Sequence, residues 1–115
     1  GHVIVADDEK ECVRISDKNG KNTLVLDYKN GAVSVQADKK ISLKAGSTEL
    51  SMDGNGGEIK LKGTRISASA DNEIGLKASA AMKLEGAQVD MKGQAQVNVQ
   101  ASGPLALKGA IVQVN

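Results

Sequence analysis

Large aromatic side chains are almost absent from this chain. It has no phenylalanine, no tryptophan and a single tyrosine, Tyr28, although 40% of its 115 residues are hydrophobic. Aromatic rings normally supply much of the area buried in a globular core. Their absence indicates a thin core of stacked aliphatic side chains.

Cysteine, histidine and charge of one sign are also scarce, and this excludes several functions. Cys12 is the only cysteine, so it cannot form a disulfide within the chain, and His2 is the only histidine, so no Cys–His nucleophile is convincing. The net charge of +1 offers no strong field for nucleic acid. No signal peptide or long apolar run is present, so no membrane-spanning helix is predicted. We therefore predict a non-enzymatic protein without catalytic residues, metal, cofactor or nucleic-acid partner.

What the sequence does contain is a short repeat. From Val33 onward, pairs of apolar residues separated by one residue recur about every 8 positions. Such alternation is typical of a strand with one buried face, and the glycine or alanine after each pair predicts a tight corner. The sequence thus predicts an all-β protein with little or no helix. The predicted core residues are Val33, Val35, Ile41, Leu43, Leu50, Met52, Ile59, Leu61, Ile66, Ile74, Leu76, Met82, Leu84, Val89, Met91, Val97, Val99, Leu105, Leu107, Val112 and Val114.

Two regions follow from this pattern. Residues 1–31 are predicted to form a β-hairpin collar, and residues 32–115 an octad-repeat β-helix. The dipeptides Asn19-Gly20 and Asn30-Gly31 are strong turn signals, because both residue types accept a positive φ. Short strands are predicted at residues 3–5, 12–16 and 23–27. The oxygen-rich loop at residues 53–58 lacks calcium-loop spacing, so it is interpreted as a surface turn.

Strands of four or five residues need neighbours on both sides and cover for their apolar face. A single chain could coil as a three-sided solenoid with three steps per coil. Alternatively, three chains could wind round one axis, each strand lying between strands of the other two. Spacing leaves both open, although a trimer explains the missing rings, since three phenylalanines would crowd one layer.

Three stretches resemble a known family: residues 1–8 (GHVIVADD), 13–20 (VRISDKNG) and 30–46 (NGAVSVQADKKISLKAG). They are similar to the C-terminal part of contractile-injection spike proteins. These are the valine-glycine repeat (VgrG) proteins of type VI secretion, the spikes of phage-like particles, and the central spikes of contractile phage tails. The resemblance covers essentially the whole chain, and the order of collar hairpin and then octads makes it specific.

The resemblance implies an intertwined homotrimeric triple-stranded β-helix, a spike that helps puncture the target envelope. It implies a PAAR-type tip protein seated on Ile111, Val112, Val114 and Asn115. It also implies that this is a fragment, joined to tail-tube and baseplate proteins through a missing N-terminal part. Such a spike assembles in the cytoplasm and is ejected through the target envelope, with transient membrane contact. The alternatives are a trimeric adhesive stalk and a monomeric β-solenoid binding module.

Overall fold

The computed structural model describes residues 2–115, and within them the chain is all-β. This confirms the fold class predicted from the alternation, and none of the described residues forms a helix that could cross a membrane. Seven strands are present: β1 (Val3–Asp7), β2 (Cys12–Ser16), β3 (Thr23–Asp27), β4 (Ala32–Gln36), β5 (Lys40–Ala45), β6 (Thr48–Asp53) and β7 (Glu58–Lys62).

The strands form two antiparallel meanders. The first sheet has the order β1-β2-β3-β4 and the second the order β5-β6-β7, so every strand pairs with its neighbour in sequence. Strands β2 and β3 have the bounds predicted for them, and β1 extends two residues beyond its prediction. Strands β4 to β7 also find partners within the chain, whereas the intertwined trimer implied by the family resemblance pairs the strands after residue 31 with strands of other chains.

Three hairpin loops have the same structure. They join β1 to β2, β3 to β4, and β6 to β7. Each has four residues and follows an aspartate that ends a strand: Asp7, Asp27 or Asp53. The aspartate side chain accepts hydrogen bonds from backbone N–H groups of the loop. One example is the 3.0 Å bond from Asn55 N to Asp53 Oδ1. Asp7 and Asp27 make the equivalent bonds.

The last residue of each of these loops is left-handed. Gly31 and Gly57 have φ values of 66° and 65°, and the equivalent position in the first loop is Glu11 with φ 51°. Glycine adopts this conformation without steric cost, whereas a residue with a Cβ does not. A left-handed residue directs the chain back along the strand that it has just left, so the hairpin closes locally.

Residues 64–115 contain no assigned strand, yet parts of this region have strand-like geometry. Gln88 Nε2 donates to Asp90 Oδ2 at 2.9 Å, and Gln96 Nε2 donates to Asn98 Oδ1 at 2.5 Å. Side chains at i and i+2 lie on the same side of an extended backbone. The backbone is therefore extended at residues 88–90 and 96–98, where it has no neighbouring strand. The chain divides into two compact units, and Ile74–Asn115 forms the second.

No hydrophobic core is closed within the described chain. None of the hydrophobic side chains among residues 2–115 is buried, and the only buried residues there are Ser16 and Ser51, at 5% and 7% exposure. The chain exposes 11235 Å², whereas a folded monomer of 11.9 kDa exposes about 6,000 Å². The chain therefore exposes about 5,000 Å² more surface than a closed monomer of the same mass would expose.

Candidate interaction surface

One face of the first sheet is apolar in both of its rows. Register aligns Ile4, Ile15, Leu24 and Val35 in one row across its four strands. The next row on the same face consists of Ala6, Val13, Leu26 and Val33. This face carries no charged or polar side chain in either row. The opposite face is mixed: Arg14, Ser16 and Ser34 lie there, as the period of two requires, together with Val3, Val5 and Val25.

The second sheet also has one apolar face. Its apolar face consists of Ile41, Leu43, Leu50, Met52, Ile59 and Leu61, which are aligned in two rows of three. Its other face is charged: Lys60 Nζ lies 3.1 Å from Glu58 Oε1, and Lys44 Nζ lies 4.0 Å from Glu49 Oε2. Exposed ion pairs of this kind stabilise little. Their importance here is that they assign one face of the sheet to water and leave the other for a partner.

A third set of apolar side chains follows the sheets in the sequence, and we call this set the apolar stripe. Its side chains are exposed, with Leu76 at 74%, and no part of the chain covers them. The stripe comprises Ile66, Ile74, Leu76, Met82, Leu84, Val89, Met91, Val97, Val99, Leu105, Leu107, Val112 and Val114. The predicted core residues thus fall into two sets: those up to Leu61 on the sheet faces, and those from Ile66 onward on the stripe.

Glycines form several of the corners within the stripe, as the repeat predicted. A Cβ on Gly86 would lie 3.2 Å from the carbonyl oxygen of Gln88, and one on Gly109 would lie 3.1 Å from that of Ile111. The two corners therefore repeat the same close approach to the residue two positions later. At Gly93 the added atom would collide with the carbonyl oxygen of Gln96. A side chain at Gly93 would therefore force a rearrangement, whereas at Gly86 and Gly109 the neighbouring carbonyl would have to move by a few tenths of an ångström.

The C-terminal residues predicted to contact a tip protein are strongly exposed. Ile111 and Val114 are each 87% exposed, and Val112 is 54% exposed. After Lys92 the only charged side chain is Lys108. The end of the chain is therefore a nearly uncharged surface whose aliphatic groups lie in water.

Two carboxylates at the loops of the first sheet, Asp17 and Asp27, accept hydrogen bonds from residues of their own loops. The Asn30 side chain and backbone amide donate to Asp27 and lower the pKa of that carboxyl group, although partial desolvation opposes them. At Asp17, desolvation raises the pKa but hydrogen bonds from the Asn22 side chain and from nearby backbone amides outweigh it, so the pKa is lowered. These carboxylates are committed to turn structure.

Tyr28 is the one aromatic residue, and it lies beside the first loop. The backbone N–H groups of Tyr28 and Lys29 donate to the carbonyl oxygen of Glu11 at 3.0 and 3.3 Å. Partial desolvation and then the negative charge of nearby acids, Asp8 first, raise the pKa of the Tyr28 hydroxyl. The hydroxyl group therefore stays protonated at neutral pH. The side chain is 55% exposed and does not anchor a core.

Metal-binding groups do not converge in residues 2–115, where no three His, Cys, Asp or Glu side chains are placed to hold an ion. Asp53 Oδ1 instead accepts from the amides of Asn55 and Gly56, as expected of a surface turn. No model of a known protein family matches this chain, and a search among curated proteins finds no match. The features that indicate a function are therefore the one-sided sheets and the apolar stripe.

The sequence reasoning missed the second sheet. A signal for it was present, because Asp27 and Gly31 recur as Asp53 and Gly57 with the same separation of four. Recognising that spacing as a hairpin loop would have placed β6 and β7 side by side.

Proposed function

We propose that three copies of this chain form an intertwined triple-stranded β-helix that acts as the spike of a contractile injection machine. The observation that carries this proposal is that residues 64–115, which contain the apolar stripe, have no strand partner in their own chain. Backbone N–H and C=O groups need partners, and apolar side chains need cover. Two further copies of the chain supply both at once.

Two observations favour copies over a monomeric solenoid. Successive steps of residues 64–115 do not pair with one another, although a solenoid would need ladders between its coils. The excess surface of about 5,000 Å² is also far larger than the roughly 800 Å² that one partner covers in a standard interface. An excess of this size fits a chain that is wrapped by two neighbours along its length.

A trimer of this kind has a mechanical role. Its strands have no free edges along the shaft, and local opening requires three chains to separate together. It can therefore transmit an axial push to a target envelope without catalysing a reaction or holding a cofactor, and its contact with the membrane is transient. On this proposal it assembles in the cytoplasm on baseplate and tail-tube proteins, and it is then ejected.

The C-terminal end is proposed to seat a conical tip protein of the PAAR type. The supporting observation is the uncharged, exposed group formed by Ile111, Val112, Val114 and Asn115. An apolar patch without charge is suited to being covered by a partner. A trimeric adhesive stalk would share the shaft, but it would present a free ligand-binding end.

The first test is the solution mass of the full chain by light scattering. The expected value is three times 11.9 kDa, or 35.7 kDa, and a value of 11.9 kDa would exclude the intertwined trimer. The second test is titration of the trimer with a PAAR-type tip protein. We expect binding that Ile111→Asp abolishes while the mass stays at 35.7 kDa, because Ile111 is 87% exposed and lies outside the predicted core. A trimer that binds no tip protein would instead favour the adhesive stalk.

A further inference from the structure

Residues 3–62 differ from the stripe because all their strand partners lie in the same chain. Their connections range from two residues, between β5 and β6, to six, between β2 and β3. Contacts this local form without a partner and on a fast timescale. Each chain can therefore arrange its two sheets before it meets another copy, although the sheets leave their apolar faces uncovered.

The pairing register of these sheets is also unique. In a hairpin, the turn and the loop length determine which residues face each other. The loops after Asp7, Asp27 and Asp53 are closed by side-chain hydrogen bonds, so their length cannot slip without loss of those bonds. Each chain therefore presents the same rows of apolar side chains to the chains with which it associates.

The stripe contains no hairpin loop that fixes its register. Its apolar pairs begin at Ile66 and recur at intervals of 7 or 8 residues up to Val112. Moving one chain past its neighbours by one step again places most apolar pairs against apolar pairs. The apolar pattern of the stripe therefore does not by itself distinguish one alignment from the next. Three stripes that met first could pair in several alignments of similar energy.

The surface that could align the chains is the pair of apolar sheet faces. They contain fourteen aliphatic residues and no charge, while the ion pairs of the second sheet lie on its other face. A suitable partner must therefore be apolar and uncharged over a similar area, and a second copy of this chain meets that requirement. The faces also precede the stripe directly in sequence, so the same copies can cover both.

We infer that the apolar sheet faces of residues 3–62 are the interface through which three copies first associate, and that this association sets the register of the stripes. The inference rests on the proposed trimer. Once the sheets hold three chains together, the stripes meet at a high effective concentration. They then pair from Ile66 towards Val114.

The first experiment compares two aspartates in the full chain. Leu50→Asp places charge on the apolar face of β6, and Val97→Asp places it in the stripe; burying unpaired charge is costly in either place. We expect Leu50→Asp to reduce the mass from 35.7 to 11.9 kDa. We expect Val97→Asp to keep 35.7 kDa, with amide-exchange protection retained in residues 3–62 and lost around residue 97. Ser34→Asp, on the opposite face of the first sheet, should change neither reading.

The opposite pattern would overturn the inference. A protected trimer of Leu50→Asp, or monomers of Val97→Asp, would mean that the stripe directs assembly. If the unsubstituted chain were itself monomeric, the proposed function would fail instead, so the two failures are distinguishable.

A second experiment introduces no charge into the protein. A chain lacking residues 74–81, one step of the repeat, is unfolded together with the complete chain, and the mixture is refolded and measured by native mass spectrometry. If the sheets set the register, both chain types enter mixed trimers in binomial proportions. Segregation into pure trimers, with both chains folded, would contradict the inference.

Discussion

Residues 3–62 and residues 64–115 share one alternating pattern of apolar and polar residues but differ in whether their segments have strand partners within the chain. In the first region, hairpins bring consecutive strands side by side. In the second, segments with the same alternation have no partner in the chain. The difference lies in the corners. All the positive-φ residues of the described chain, namely Glu11, Gly20, Gly31, Gly46 and Gly57, precede residue 62.

This comparison shows that the corner, and not the strand, decides which partner a strand finds. A left-handed residue reverses the chain direction within a few residues, so the next strand returns beside the last one. Corners such as Gly86 and Gly109 bend the chain closely without a positive φ. They carry it onward, and the apolar face is left for another molecule. The alternation is the same in both regions and does not distinguish them.

The largest effect is expected at a corner of the stripe. Gly93→Ala would press its Cβ against the carbonyl oxygen of Gln96 and place it 2.8 Å from Val97 Cγ2. Overpacking of this kind costs about 1–3 kcal/mol per chain. We expect a clear loss of trimer stability in denaturant unfolding monitored by circular dichroism. The matched control is Gly75→Ala, because a Cβ there meets nothing within 4 Å. Equal effects of the two substitutions would show that the corners tolerate a side chain.

A smaller effect, an increase in stability, is expected at the hairpin loop that contains Glu11. Glu11 holds φ 51° at the position that is glycine in the two equivalent loops. Removing its Cβ should stabilise the chain by about 1 kcal/mol. We expect Glu11→Gly to raise the unfolding midpoint, since its carbonyl still accepts from Tyr28 and Lys29. Gly31→Ala should lower the midpoint by a similar amount. A lower midpoint for Glu11→Gly would mean that the glutamate side chain contributes more than its backbone strain costs.

The smallest expected effect is a loss of stability at acidic pH. The pKa of Asp27 and that of Asp17 are lowered from 3.8, so hydrogen bonds in the folded state favour their ionised forms. A lowered folded pKa gives stability that is present above the unfolded value and is lost as pH falls through the folded value. We expect stability to decrease below about pH 4, with these groups adding little change between pH 5 and 8. The measurement is the urea midpoint as a function of pH.

The control for this effect is Asn30→Ala, which removes the side-chain donor to Asp27. In this variant the pKa of Asp27, followed by carbon-13 NMR of its carboxyl group, should return towards 3.8 and the acid dependence should weaken. An unchanged pKa would mean that the backbone amide of the loop alone sets it.

Local pattern was sufficient to predict a good part of the fold. The bounds of β2 and β3 followed from alternation and from the Asn-Gly signals beside them. The period of two also predicted that Val33 and Val35 share a face with each other, as do Ile41 and Leu43. Such predictions succeed because the direction of a side chain along a strand depends only on its own backbone.

The candidate surface was predictable only in part. The residues of the stripe could be listed from the sequence because each one continues the alternation. That Leu50 and Met52 pack beside Ile59 and Leu61 in one chain could not be read in the same way. It depended on the left-handed Gly57 and on the hydrogen bonds that close the loop after Asp53.

The sequence by itself therefore determined that this protein is all-β, which residues alternate, and which aliphatic side chains share a face. Only the tertiary structure decided that β4 to β7 pair within the chain while residues 64–115 have no internal partner. The physical reason is that an apolar alternation specifies a face to be covered but not what covers it. The covering strand is selected by backbone hydrogen bonds, and the φ angle of a few corner residues decides whether those bonds can form within one chain.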